Sequence, residues 1–201
     1  MVVISARGKC FGLECSVAVA LLSGEVQDHV LAKLYDDTPR MLAEWAGLLV
    51  GLAHARGKGS AETLLELRLG EQEIVEGLHV LYSRIAESVK QPMTGLPGIA
   101  KWQSCYVAAD VFLREWPGPV RITWTPYDKP RPEKATMIAA ARDAKNLAGE
   151  APKVALGDGS RLPEDWLKLV LLDVMTSRCS FERERFLSRL RATLARPSVG
   201  V

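Results

Sequence analysis

Over residues 2–147 the apolar residues change period in a fixed order, and that order limits what the chain can fold into. Three β-type runs come first. Val2 to Ser5 is bounded by Arg7-Gly8-Lys9. Glu14 to Leu22 is rich in Val and Ala and closes on the turn signal Ser23-Gly24. Glu25 to Tyr35 follows as a hairpin partner. Helical spacing then takes over at Leu42, Trp45, Leu49 and Leu52. Asp36-Asp37-Thr38-Pro39 stands ahead of them as a cap, with proline at the first helical position, and Arg56-Gly57-Lys58-Gly59-Ser60 follows as the stop. Thr63 to Leu69 returns to period two, with Leu65, Leu67 and Leu69 on one face.

A second helix starts at Gly70-Glu71-Gln72-Glu73, where acidic residues suit the helix dipole, and carries Ile74, Leu78, Leu81 and Ile85. Gln91-Pro92 to Pro97-Gly98 reads as a loop, Ile99 to Trp116 as a third helix and Val120 to Thr125 as a strand. Arg131-Pro132-Glu133 opens an alanine-rich helix to Leu147. A meander followed by alternating strands and helices predicts a mixed sheet flanked by helices. The division expected is one domain at 1–148, a linker at 149–163 and a C-terminal helical extension at 164–201. In that extension Trp166, Leu169, Val170 and Leu172 make one apolar stripe. Phe181, Phe186, Leu187, Leu190 and Leu194 lie among arginines.

A chain of 201 residues can bury roughly 70% of its unfolded surface, so its core needs no metal or disulfide. The cysteines Cys10, Cys15, Cys105 and Cys179 form no CxxC pair, and His29, His54 and His79 have no ligand-like spacing to them. They read as reduced thiols in a cytoplasmic protein, not as a zinc site. No signal peptide and no apolar run of about 20 residues is visible. The formal net charge of +2 is too small to argue for nucleic acid by itself. Asn146 is the sole asparagine and Arg outnumbers Lys, a composition that points toward a thermophilic source.

Three local motifs then carry a resemblance. Thr38 to Leu52, with Ala43-Glu44-Trp45 and Gly51-Leu52, resembles the first-helix pattern T-x-N-x-A-E-Y-x-A-L-x-x-G-L of archaeal and bacterial ribonucleases H. Gly70-Glu71-Gln72-Glu73-Ile74 stands where that family has D-S-Q-L-V. Trp124-Thr125-Pro126-Tyr127-Asp128, then Glu133-Lys134-Ala135, stands where it has W-V-P-R-E-x-N-x-x-A-D. The resemblance implies a ribonuclease H-like α/β fold with a mixed five-stranded sheet. It also implies a site at which about four carboxylates hold two divalent ions to activate water. Here the first aspartate is matched by Ser5 or Ala6, the third by Gly70 and the fourth by Ala135, so Glu44 alone remains. One carboxylate cannot offset two such cations. Glu71, Asp36 and Asp37 are the substitutes to weigh, and Asp143 lies two turns beyond Ala135.

The leading expectation is therefore a catalytically degenerate relative, without cofactor, that binds RNA or an RNA/DNA hybrid or serves as a scaffold. Arg7, Lys9, Arg40, Arg68, Lys101, Arg121 and Lys134 are the candidate phosphate contacts, against the reading that they are solvated surface charge. The alternatives are a magnesium- or manganese-dependent ribonuclease using Glu44 and Glu71, and a protein–protein or homo-oligomer module built on the C-terminal helices. Trp45 and Trp124 stand at core positions of the resembled family and are expected to be buried, with base stacking as the alternative, while Trp102 and Trp116 are less constrained.

Overall fold

The meander forms one side of a single twisted sheet in the computed structural model, which describes residues 1–11, 14–23, 26–34, 38–89, 93–125, 165–176 and 181–195. Asp36, Asp37, Lys134, Ala135, Asp143, the helix expected at 131–147 and the linker at 149–163 lie outside the described residues. Strand β1 (Val2–Phe11) pairs antiparallel with β2 (Glu14–Ser23) from Val2↔Ser23 to Phe11↔Glu14. Strand β3 (Val26–Lys33) continues antiparallel on β2. β4 (Leu65–Leu69) lies parallel to β1, and β5 (Val120–Trp124) parallel to β4, giving the order β3-β2-β1-β4-β5. The parallel part of the sheet is thus three strands, β1, β4 and β5, and the meander adds the antiparallel part.

β1 runs six residues past the expected stop at Ser5, straight through Arg7-Gly8-Lys9. Glycine there is not a break. A Cβ at Gly8 would overlap the main chain of Ala43 and Glu44, so the glycine lets the strand pass against a helix.

That helix, α1 (Arg40–Ala55), is buried almost all round: one side meets β1 and β2, the other meets helices. Gly51 brings it onto Ile4 and Val19 of the sheet. Pro39 is the residue before the helix, not its first turn. Its backbone is extended (ψ 141°), and its carbonyl accepts the Ala43 N–H at 3.0 Å. Val2, Ile4, Ala6, Val17, Val19, Leu21, Leu65, Leu67 and Leu69 make the sheet side of this core. Helices α2 (Gln72–Ala86) and α3 (Ile99–Glu115) complete the layer, and α3 meets both α1 and α2.

In the extension, α4 (Asp165–Thr176) and α5 (Arg183–Leu194) both rest on α3. Trp166 meets Phe112 edge-on at 5.4 Å, and Phe186, Leu187 and Leu190 are buried beneath α5 while Arg185 and Arg189 face out. The apolar side of α5 and Trp166 and Val170 of α4 therefore pack on their own chain, while Leu172, expected in the same stripe, is exposed and Leu171 takes the buried place. Among the described residues no helix is long and apolar enough to cross a membrane.

The centre of the helical layer is tight. Tyr106 is edge-on to Trp45 at 4.9 Å, donates its hydroxyl to the Pro97 carbonyl at 2.8 Å, and leaves no room for a Cβ on Gly77. Gly77→Ala is expected to destabilise the fold by about 1–3 kcal/mol, read as a fall in the urea midpoint by circular dichroism. The neighbouring Cys105 is fully buried. Burial first, and then the Asp173 charge, pushes its thiol well above the ordinary range. In the native state at neutral pH the peptide carrying Cys105 is expected to resist iodoacetamide, and to react once urea unfolds the chain, as peptide mass mapping would show.

Candidate functional site

Glu44 lies one turn into α1 on the side that meets the sheet, and it is completely buried. Its two oxygens reach different strands. Oε2 accepts the N–H of Gly8 in β1 at 2.8 Å, and Oε1 accepts the N–H of Gly70, just past β4, at 2.9 Å. The carboxylate thus bridges β1, α1 and the end of β4 through main-chain donors, the arrangement that stabilises a buried anion.

Gly70 is the hub. Its carbonyl accepts the indole N–H of Trp124 at 3.0 Å, and beside it the Thr125 N–H donates to the Leu69 carbonyl at 2.7 Å. The next residue, Glu71, forms the N-cap of α2 with extended backbone and no side-chain cap bond. Its carboxylate goes instead to Arg40 of α1 at 3.1 Å, with Arg40 65% and Glu71 23% exposed. Glu73 in the first turn of α2 accepts the Trp102 indole N–H at 3.3 Å, which ties the start of α3 to the same end of the sheet.

The structure therefore brings Glu44, Glu71 and Arg40 together, with the backbone of Arg7 and Lys9 flanking Gly8 in β1 opposite Ala18 and Ser16. Lys101 is exposed on the first turn of α3, its Nζ 4.5 Å from the Trp102 ring centre. Arg121 is exposed but stands at the far end of β5, in register with Glu66 and three residues, roughly 10 Å, before Trp124. Lys134 lies outside the described residues.

Two expectations are corrected. Arg68 is not a surface phosphate contact: its side chain is 12% exposed, and both Nε (3.1 Å) and an Nη (3.0 Å) donate to Glu66, itself nearly buried, on the sheet face away from α1. Trp124 is not a core residue, for it is 45% exposed. In strand one, Ser5 alternates with Ile4 and so points away from α1, its buried Oγ without a hydrogen-bond partner, and Ala6 lies two residues before Gly8. The residue of β1 that meets Glu44 is Gly8, through its N–H. The sequence signal for it was a lone glycine between charged residues inside an otherwise β-like segment. Among the described residues no group of three or more His, Cys, Asp or Glu side chains converges as a metal cage.

No protein-family profile matches the chain, and no curated protein matches it. Solved structures do. Ribonuclease H1 of the halophilic archaeon Halobacterium salinarum is 22% identical with a TM-score of 0.51, over 77% of this chain and 98% of that one. LC11 ribonuclease H1, in complex with an RNA/DNA hybrid, is 17% identical with a TM-score of 0.53, over 78% and 99%. The ribonuclease H domain of PFV in solution is 11% identical with a TM-score of 0.52, over 76% and 93%. The chain has a ribonuclease H-like fold.

Glu44→Ala removes the acceptor of two main-chain N–H groups. It is expected to cost about 2–6 kcal/mol of stability, at roughly 1–3 kcal/mol per stranded donor. Glu44→Gln keeps one carbonyl oxygen and turns an NH2 against the other donor, so it should fall between wild type and alanine. Urea unfolding of the three proteins side by side checks the order. An alanine variant as stable as wild type would remove the bridging role.

Proposed function

We propose that this chain is a catalytically degenerate ribonuclease H-like protein, one that binds nucleic acid at the Glu44 end of its sheet and does not cut it. The observation that carries the reading is the use of Glu44. Each of its oxygens already accepts a peptide N–H, and Glu71, next to Gly70, is paired with Arg40. Paired magnesium or manganese ions need several carboxylate oxygens facing one another across a few ångströms. Among the described residues no three His, Cys, Asp or Glu side chains converge and Glu44 is turned toward two amide donors, so that donor set does not fit the two-ion centre. The nucleic-acid half of the reading is supported by the fold shared with LC11 ribonuclease H1, whose structure includes an RNA/DNA hybrid. Arg40, Arg7, Lys9 and Lys101 would supply phosphate contacts at this end, with Arg121 further along β5. The Arg40–Glu71 pair is exposed enough to exchange for a phosphate at little cost.

A second reading rests on α4, where Leu172 (44%) and Met175 (38%) are exposed apolar residues that would suit a partner helix or a second copy. Its test is the solution mass with and without Leu172→Ser and Met175→Ser.

A labelled RNA/DNA hybrid incubated with magnesium or manganese is expected to stay intact, while a retardation assay detects binding that weakens with salt. Four phosphate contacts predict a log–log salt slope of about −3 to −4. Metal-dependent cleavage lost in Glu44→Gln would establish the ribonuclease reading with Glu44 and Glu71. Intact hybrid with no measurable binding at low salt would remove the nucleic-acid reading altogether.

A further inference from the structure

We infer that Trp124 is a stacking platform for an unpaired nucleobase, so that the ligand of this sheet end is single-stranded nucleic acid, or a single-stranded segment next to a duplex. The inference rests on the nucleic-acid reading above and adds to it which form of nucleic acid is bound.

Trp124 is the last residue of the edge strand β5, and nearly half of its surface is open to solvent. The other four tryptophans, Trp45, Trp102, Trp116 and Trp166, are 0%, 2%, 8% and 3% exposed. Among the described residues the other large exposed apolar side chains are Met1, Val89, Leu172 and Met175, none of them aromatic.

The ring is also held. Its indole N–H is committed to the Gly70 carbonyl, and the following Thr125 N–H to the Leu69 carbonyl, so side chain and main chain are both fixed before any ligand arrives. A ring fixed in advance loses little entropy on binding.

Its surroundings favour a base over a protein side chain. Gly70, which holds the indole, is followed directly by Glu71, whose partner is the exposed Arg40. Thr123 and Thr125 flank the tryptophan in sequence. Met1 begins the chain ahead of β1, at the opposite end of the parallel strands, Val89 follows the far end of α2, and Leu172 and Met175 belong to α4. A protein anchor is ordinarily set in a continuous apolar patch. Among the described residues the exposed aromatic is instead joined through Gly70 to Glu71 and its partner Arg40, so a base on the ring and a phosphate on the arginine can be met at one end of the sheet. A base inside a duplex is already stacked on both faces, so the platform serves an unpaired one.

The test follows tryptophan emission of the full chain during titration with a 12-nucleotide single-stranded oligothymidylate, and with a blunt duplex of the same length. Quenching by the single strand is expected, and by the arrangement of the tryptophans it reports Trp124. Stacking on one base is worth about 1–3 kcal/mol, so Trp124→Ala should weaken single-strand binding roughly 5- to 150-fold and abolish the quench, with the salt slope retained. Trp124→Phe loses the N–H to Gly70 and keeps a ring. It should retain most of the affinity, which separates stacking from anchoring; melting curves of both variants report the anchoring part. Binding by wild type with no quench, equal quenching by the blunt duplex, or unchanged affinity in Trp124→Ala would each overturn the inference and leave the nucleic-acid reading standing. Absence of binding to either oligonucleotide by wild type at low salt would overturn both. An indole reserved for a protein partner predicts binding without a quench and an affinity unchanged in Trp124→Ala.

Discussion

A carboxylate taken fully out of water persists as an anion only where donors replace its hydration, and at Glu44 the replacements are two peptide N–H groups. Much of the remaining structure follows from this clamp. It requires α1 to lie within hydrogen-bond reach of β1, which Gly8 permits by having no side chain to hold the two main chains apart. It also requires the turn after β4 to present its amide inward. The residue doing so is Gly70, where a carboxylate side chain would have set a second negative charge beside the first. One glutamate thus fixes the mutual placement of two strands and a helix at one end of the sheet.

The two faces of the sheet solve different problems. Toward α1, leucines at alternate positions of β4 meet Ile4 and Ala6 in an apolar layer. On the other face Glu66 and Arg68, two residues apart on one strand, neutralise each other by side-on hydrogen bonds close to Ser5, which Arg68 opposes in register. An ion pair so little exposed is costly to break from either side, because the survivor would be left buried and unpaired. That is why Arg68, basic in composition, contributes nothing to the basic character of the surface.

Period was enough to read most elements. Leu42, Trp45, Leu49 and Leu52 are all buried on α1, and Leu65, Leu67 and Leu69 share the core face of β4 as the alternation requires. What period could not carry was anything decided by a partner elsewhere in the chain. Arg7-Gly8-Lys9 reads as a stop because charge and glycine together are a loop signal, yet β2 continues opposite and its backbone pairs regardless of side chain. Pro39 reads as a first helical residue because its φ suits one, but its extended ψ leaves it outside, giving only its carbonyl to the helix. Trp124 reads as core because the resembled family has a core tryptophan at that position. Its exposure comes from being last on an edge strand, which is a property of strand order and not of local sequence. Within the site, Glu44 was legible as a residue, whereas its two partners were not, since main-chain amides leave no mark in a sequence.

That last point bears on how a single retained acidic residue should be read. A glutamate kept for catalysis and one kept for architecture look identical in a chain; they differ in where their lone pairs go. A metal ligand directs oxygens toward other ligands across an open centre, and loses much of its favourable energy when those ligands and the cation are gone. An architectural glutamate directs them into the main chain, and its energy does not depend on any ion. Among the described residues around Glu44, Gly8 and Gly70 donate their N–H groups to it, and Glu71, next to Gly70, has its charge offset by Arg40. At Glu44 peptide dipoles take the part that a cation's charge would have, and the proposed loss of cutting and the burial of Glu44 then have one physical origin.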